Sequence, residues 1–193
     1  MARKKDSNRD IRNPEVVIIG EGMTERFYFQ HLKRLKGFRY MCKPRYFTQQ
    51  TITDLDRQIG RVLSDGGVAV CVFDADVTRL HDSDRKQLKE MRTKYAQNPN
   101  VILCDSMPSI EFWFLLHFIS TSRYFANSNE AEAQLRRYLT EYEKKEKFLQ
   151  REKWVIDLIS NGKFEDALKR AKQIGETGES YTNLYRAFDA FKM

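Results

Sequence analysis

Val68-Ala69-Val70-Cys71-Val72-Phe73-Asp74-Ala75-Asp76 is the stretch that decides the fold. Six apolar residues, three of them valine, run without a polar break into two aspartates. A strand with one wet face alternates polar and apolar residues. An unbroken apolar run this short instead fits a strand buried on both faces, as in a parallel sheet. The pattern recurs on either side. Glu15-Val16-Val17-Ile18-Ile19-Gly20 precedes it and Val101-Ile102-Leu103-Cys104 follows. Tyr40 to Thr48 reads as a further strand. Helical spacing fills the intervals: Thr24 to Lys36 with Thr24 as N-cap, Thr53 to Leu63, Ser83 to Ala96, and the apolar Ile110 to Ile119. Short buried strands alternating with helices predict a parallel sheet covered by helices.

From Asn127 onward strand signals vanish. Glu130–Tyr142, Lys145–Ser160, Phe164–Ile174 and Tyr181–Phe191 read as amphipathic helices punctuated by Gly162, Gly175 and Gly178. No internal repeat or low-complexity tract interrupts the chain.

The 193 residues are 41% hydrophobic, enough for a core and against disorder. No apolar run approaches the ~18 residues of a membrane span, and the first 14 residues are too polar for a secretory signal. Three scattered cysteines (Cys42, Cys71, Cys104) form no disulfide framework, so a reducing cytoplasm is expected. The net charge of +7 is uneven. Residues 1–65 carry 14 Lys+Arg against 8 Asp+Glu, whereas residues 66–120 carry 6 against 7. A basic region beside an acidic one suits a phosphate-rich partner held near a carboxylate site, although a basic pI alone is also an ordinary solubility feature.

Asp74 and Asp76 carry the strongest chemical signal. Residues two apart in a strand project to the same side, and in open α/β sheets ligands collect where strands end. Paired carboxylates call for a cation, and hard oxygen ligands suit Mg²⁺ or Mn²⁺; the bland alternative is an acidic loop capping the next helix. Glu21, just past the first buried strand, faces the same crevice if the two strands are neighbours. Glu21, Asp74 and Asp76 would then form a site for one or two divalent cations and a general base for phosphoryl transfer. Glu25 is either a member of this group or a first-turn acid favouring the helix dipole.

In order, strand-Glu21-Gly22-Met23-Thr24-Glu25 and strand-Asp74-Ala75-Asp76 resemble the TOPRIM domain of DnaG-type primases, topoisomerases and overcoming-lysogenization-defect nucleases. Ser106-Met107-Pro108-Ser109-Ile110-Glu111-Phe112-Trp113-Phe114-Leu115-Leu116-His117-Phe118 resembles a signature of the RloB/AbiLii family, small TOPRIM-related proteins associated with restriction-modification and phage-defence loci. Met107 departs from that signature, which has Asn after the serine. Glu179-Ser180-Tyr181-Thr182-Asn183 resembles the family's C-terminal region more loosely.

The resemblance implies a TOPRIM-like (Rossmann-like) α/β domain over residues 15–122, behind a flexible basic arm at 1–14 (Arg3, Lys4, Lys5, Arg9, Arg12) and before a helical extension at 123–193. It also implies a Mg²⁺- or Mn²⁺-dependent nuclease with Glu21 as general acid/base, Asp74 and Asp76 as metal ligands, and Glu111 and His117 as signature members without assigned roles. On residue grounds His117, in an apolar helix, reads as a core histidine, and Glu111 as a first-turn helix acid.

No acidic residue occurs between Glu25 and Asp54, while Arg26, Lys33, Arg34, Lys36, Arg39, Lys43 and Arg45 supply seven cations. Aromatics interleave: Phe27, Tyr28, Phe29, Phe38, Tyr40, Tyr46 and Phe47. The cations could neutralise phosphates and the aromatics stack on bases, or the aromatics could face the core. Phosphodiester hydrolysis of DNA or RNA in bacterial phage defence is the expected function. A nucleic-acid-binding or toxin subunit needing a neighbouring ATPase is the alternative, and nucleotidyl transfer shares the same carboxylates. The chain has no G-x-x-x-x-G-K-[ST] motif, so P-loop NTP hydrolysis by this chain is not expected.

Overall fold

The computed structural model describes residues 14–48, 51–76, 82–175 and 178–191. The basic residues Arg3 to Arg12 of the expected arm lie outside that set.

Three apolar runs form the parallel strands β1 (Val16–Gly20), β2 (Val68–Asp74) and β3 (Val101–Met107), and the order across the sheet is β1-β2-β3-β4. Gly20 stands opposite Val72, and Asp74 opposite Ser106. The ends of β1, β2 and β3 therefore lie side by side. This is the arrangement that continuous burial on both faces predicts.

β4 (Tyr181–Thr182) pairs antiparallel with the end of β3. It corrects the expectation of an all-helical tail: Tyr181-Thr182 is too short a run to show strand periodicity, and its pairing comes from tertiary contacts. The expected strand over Tyr40–Thr48 is also corrected. Met41 and Phe47 each bridge to β1, at Val17 and Gly20, but a 3-10 turn at Pro44–Tyr46 separates them. Proline has no N–H to give a ladder and fixes φ near its turn value, so Pro44 breaks the strand.

Among the helices, α1 (Met23–Lys36) ends at Gly37 with φ 68°, and α2 (Ile52–Ser64) begins at Thr51. Thr51 and Asp54 form a reciprocal capping box. Gly22, not Thr24, caps α1, and Thr24 is buried within it. α3 spans Asp82–Tyr95 and α4 Ile110–Leu115, shorter than the apolar run suggested. In the tail, α5 (Ser128–Leu135), α6 (Glu146–Leu149), α7 (Lys153–Ile159), α8 (Lys163–Ile174) and α9 (Tyr185–Ala190) follow.

The tail shares its core with the sheet. Trp113 of α4 donates through Nε1 to the Tyr28 hydroxyl of α1 at 2.9 Å and stacks on Phe188 of α9 at 5.5 Å. Trp154 of α7 packs on Phe114 at 5.4 Å and Tyr28 at 6.1 Å. Truncating such a buried tryptophan costs about 3–5 kcal/mol. Phe27, Tyr28, Phe29, Tyr40, Tyr46 and Phe47 are buried, and Phe38 packs against the same core. The aromatics among the N-terminal cations thus serve the interior, which settles their two readings against base stacking. Among the described residues no helix is long and apolar enough to cross a membrane.

Candidate active site at the carboxyl edge of the sheet

Glu21 follows β1 directly and Asp74 ends β2, so the pairing of those strands brings both to one edge. Glu25 enters from the first turn of α1 and Glu111 from the first turn of α4. Glu25 and Glu111 are buried. Gly20 makes the close approach of α1 possible: a Cβ there would lie 2.8 Å from the Phe47 ring and 3.1 Å from Glu25 Cβ.

The four carboxylates feel one another. Burial, then the charge of Glu25, pushes the Glu21 pKa up to about 8, although its carboxylate accepts from the Asp74 backbone N–H. Burial and Glu111 raise Glu25 to about 7 against its own and Gly22's N–H groups and Lys144. Asp74 is raised well above the usual carboxylate range by burial, then by Glu25, Glu111 and Glu21. Buried like charges favour protonation unless a cation compensates them.

Hydrogen bonds fix two members. Asp74 Oδ1 accepts from the Ile110 backbone N–H at 2.9 Å, which ties the end of β2 to the start of α4. Glu111 Oε2 accepts from Ser109 Oγ at 2.6 Å, and Oε1 from the Tyr142 hydroxyl at 2.7 Å. Lys144 Nζ lies 3.0 Å from the same Oε1. Burial works against the Lys144 ammonium, but Glu111, Asp74 and Glu132 outweigh it and raise its pKa.

Ser109, Tyr142 and Lys144 were not foreseen from the sequence. Tyr142 and Lys144 sit in Glu141-Tyr142-Glu143-Lys144-Lys145-Glu146-Lys147, which reads as a solvated charge run and gives no signal of a buried contact.

The remaining expected residues are placed by other parts of the fold. β2 ends at Asp74, and Ala75-Asp76 already take a helical turn. Same-side projection along a strand therefore does not govern Asp76, which is half-buried beyond the strand end. His117 is in the core: Nδ1–H donates to the Trp113 carbonyl at 3.0 Å, and Trp113 packs edge-on at 4.8 Å. Burial lowers its pKa to about 3, so it is neutral.

Of the expected phosphate-binding cations, Arg26, Arg34 and Lys36 pair with Glu146, Glu152 and Glu165 of the tail at 3.6, 2.7 and 3.0 Å. Lys33 sits 5.9 Å from the Tyr40 ring centroid. Arg39, Lys43 and Arg45 are exposed. Much of the basic face of α1 therefore anchors the tail.

A divalent cation suits the donor chemistry here: the groups are hard carboxylate oxygens short of positive charge. Glu111 is already engaged by Ser109, Tyr142 and Lys144. Among the described residues no three His, Cys, Asp or Glu side chains converge as a finished metal cage.

The fold and this edge define an open α/β protein with a cluster of carboxylates at the ends of its parallel strands and a tail that shares the core. The chain belongs to the RloB-like protein family, whose model matches residues 16–189. No curated protein and no solved structure matches the chain.

Proposed function

We propose that this RloB-like protein is a Mg²⁺- or Mn²⁺-dependent phosphodiesterase acting on DNA or RNA, with its active site at the Glu21–Asp74 edge. The observation that carries the reading is the gathering of Glu21, Glu25, Asp74 and Glu111 at one edge of the sheet, where burial and then neighbouring carboxylates raise the pKa values of Glu21, Glu25 and Asp74. Such a concentration of buried acid is costly to a fold and characteristic of sites that bind cations or move protons. The resemblance of Glu21-Gly22-Met23-Thr24-Glu25 and Asp74-Ala75-Asp76 to TOPRIM motifs supports nucleic acid as the substrate, and the resemblance to the RloB/AbiLii family supports a role in phage defence.

Glu21, Asp74 and Asp76 would hold the cation, which supplies positive charge for phosphate oxygens and acidity to bound water. Glu21 moves the proton between water or hydroxyl and the phosphodiester. The Ile110 N–H orients Asp74, and Ser109, Tyr142 and Lys144 hold Glu111 in place.

The test is cleavage of single- and double-stranded DNA and RNA by the unaltered chain, Glu21→Gln and Asp74→Asn, each with Mg²⁺ and Mn²⁺. Cation-dependent cleavage that falls about 10²–10⁴-fold in each variant supports the reading. Equal activity in all three proteins overturns it.

A further inference from the structure

Outside the carboxylate edge, a groove of about 600 Å³ opens between the 3-10 turn Pro44–Tyr46 and α2. Three arginines line it: Arg45 from the turn, and Arg57 and Arg61 one helical turn apart on α2. Asp65 is the acidic residue in its lining.

The guanidinium groups are available to a ligand. Among the described residues Arg61 makes no ion pair. Arg57 pairs with Asp54 at 2.7 Å, but its side chain is 57% exposed. Exposed pairs of this kind are worth about 0.2–1 kcal/mol and yield readily to a stronger anion. Arg45 donates to the Tyr46 hydroxyl at 2.9 Å and lies over that ring at 4.8 Å, which spreads the guanidinium along the groove wall without neutralising it. Planar, permanently charged forks grouped around one opening match phosphate oxygens.

One wall of the groove, the 3-10 turn, leads along the chain to the strand end that carries Glu21. Phe47, next to Tyr46, bridges to Gly20, and Gly20 precedes Glu21 in the chain.

We propose that the Arg45/Arg57/Arg61 groove is the track for the sugar-phosphate backbone of the nucleic-acid substrate. This rests on the hydrolytic reading above and adds to it where the strand runs. It also adds α2, which the sequence did not single out, to the cations expected on α1 and the 3-10 turn.

The experiment is equilibrium binding of short fluorescent single strands and duplexes without divalent cation, over a salt series. The proteins are the unaltered chain, a triple Arg45→Gln/Arg57→Gln/Arg61→Gln variant, the matching triple Arg→Lys variant, and a control with Lys86, Lys89 and Lys169 changed to Gln. Each backbone contact contributes about 0.7–0.9 to the slope of log K against log salt, so losing three lowers it by about 2–3. The expected result is that drop in the Gln triple alone, with partial recovery in the Lys triple and normal binding by the control. Equal slopes in the Gln triple and the control overturn the proposal, as does an unaltered chain that binds anionic vesicles but neither nucleic acid. Cleavage lost in every condition while the groove still sets the binding slope would count against the hydrolytic reading alone.

Discussion

Lys144 and Glu111, 33 positions apart in the chain, form an ion pair at 3.0 Å in which the carboxylate is fully buried and the lysine side chain is 40% exposed. The tail thus places a positive charge against the most enclosed acid of the cluster. Its removal leaves that acid, already held by Ser109 and Tyr142, without a counter-charge.

Lys144→Met should therefore destabilise the protein by about 1–3 kcal/mol, below the 3–5 kcal/mol of a fully buried pair because the ammonium reaches solvent. Glu111→Gln in the same chain should recover part of that loss. Urea denaturation of the two single variants and the double variant measures it. Additive losses would show that the pair is not coupled.

A second clasp holds the tail to the sheet. Asp105 of β3, buried, accepts from the Tyr181 hydroxyl and from Asn183 Nδ2, each at 2.7 Å, and pairs with Arg92. The Asn183 backbone N–H donates to the Asp105 carbonyl at 2.8 Å. Asp105→Ala strands these partners and should cost about 2–4 kcal/mol. It should also speed amide exchange at Thr182 and Asn183 before the sheet opens. A loss under about 1 kcal/mol with unchanged exchange would contradict the clasp.

The carboxylates also set a pH dependence. Glu21, Glu25 and Asp74 have folded-state pKa values above the usual range near 4, with Glu21 at about 8 and Glu25 at about 7. Between about pH 4.5 and 8 the folded chain holds more protons than the unfolded one. Stability from these groups is complete below that window and is lost as pH rises through it. A divalent cation that replaces those protons should stabilise more at pH 8 than at pH 5.5. At 100 times Kd the gain is about 2.7 kcal/mol, or roughly 5–10 °C in Tm for a chain of this size. Thermal melts with and without Mg²⁺ or Mn²⁺ at both pH values read this directly, and Asp74→Asn should shrink the gain. An equal gain at both pH values, or in the variant, would contradict cation binding at the cluster.

The parallel sheet was legible because burial on both faces leaves unbroken apolar runs, and those runs also mark where β1 and β2 end. Glu21 and Asp74 followed from that. Asp76 did not, because the strand stops two residues before it and the alternation does not reach it. β4 and the Asp105 clasp were hidden for a related reason: two residues carry no period, and the clasp joins positions more than 70 apart. The cations of α1 were visible as a charge excess, but a sequence does not say which will meet glutamates. Here Glu146, Glu152 and Glu165 claim three of them. Lys144 shows the same limit in reverse, since a lysine in a charge run is indistinguishable from a solvated one until the fold brings Glu111 to it.

The most direct measurement is a crystal structure grown with Mn²⁺ and read by its anomalous signal. The account predicts a Mn²⁺ ion bonded to carboxylate oxygens of Glu21 and Asp74 at the ends of β1 and β2, with Asp76 turned toward it. A Mn²⁺ signal elsewhere, with a clearly ordered Glu21–Asp74 edge that binds none, would contradict it.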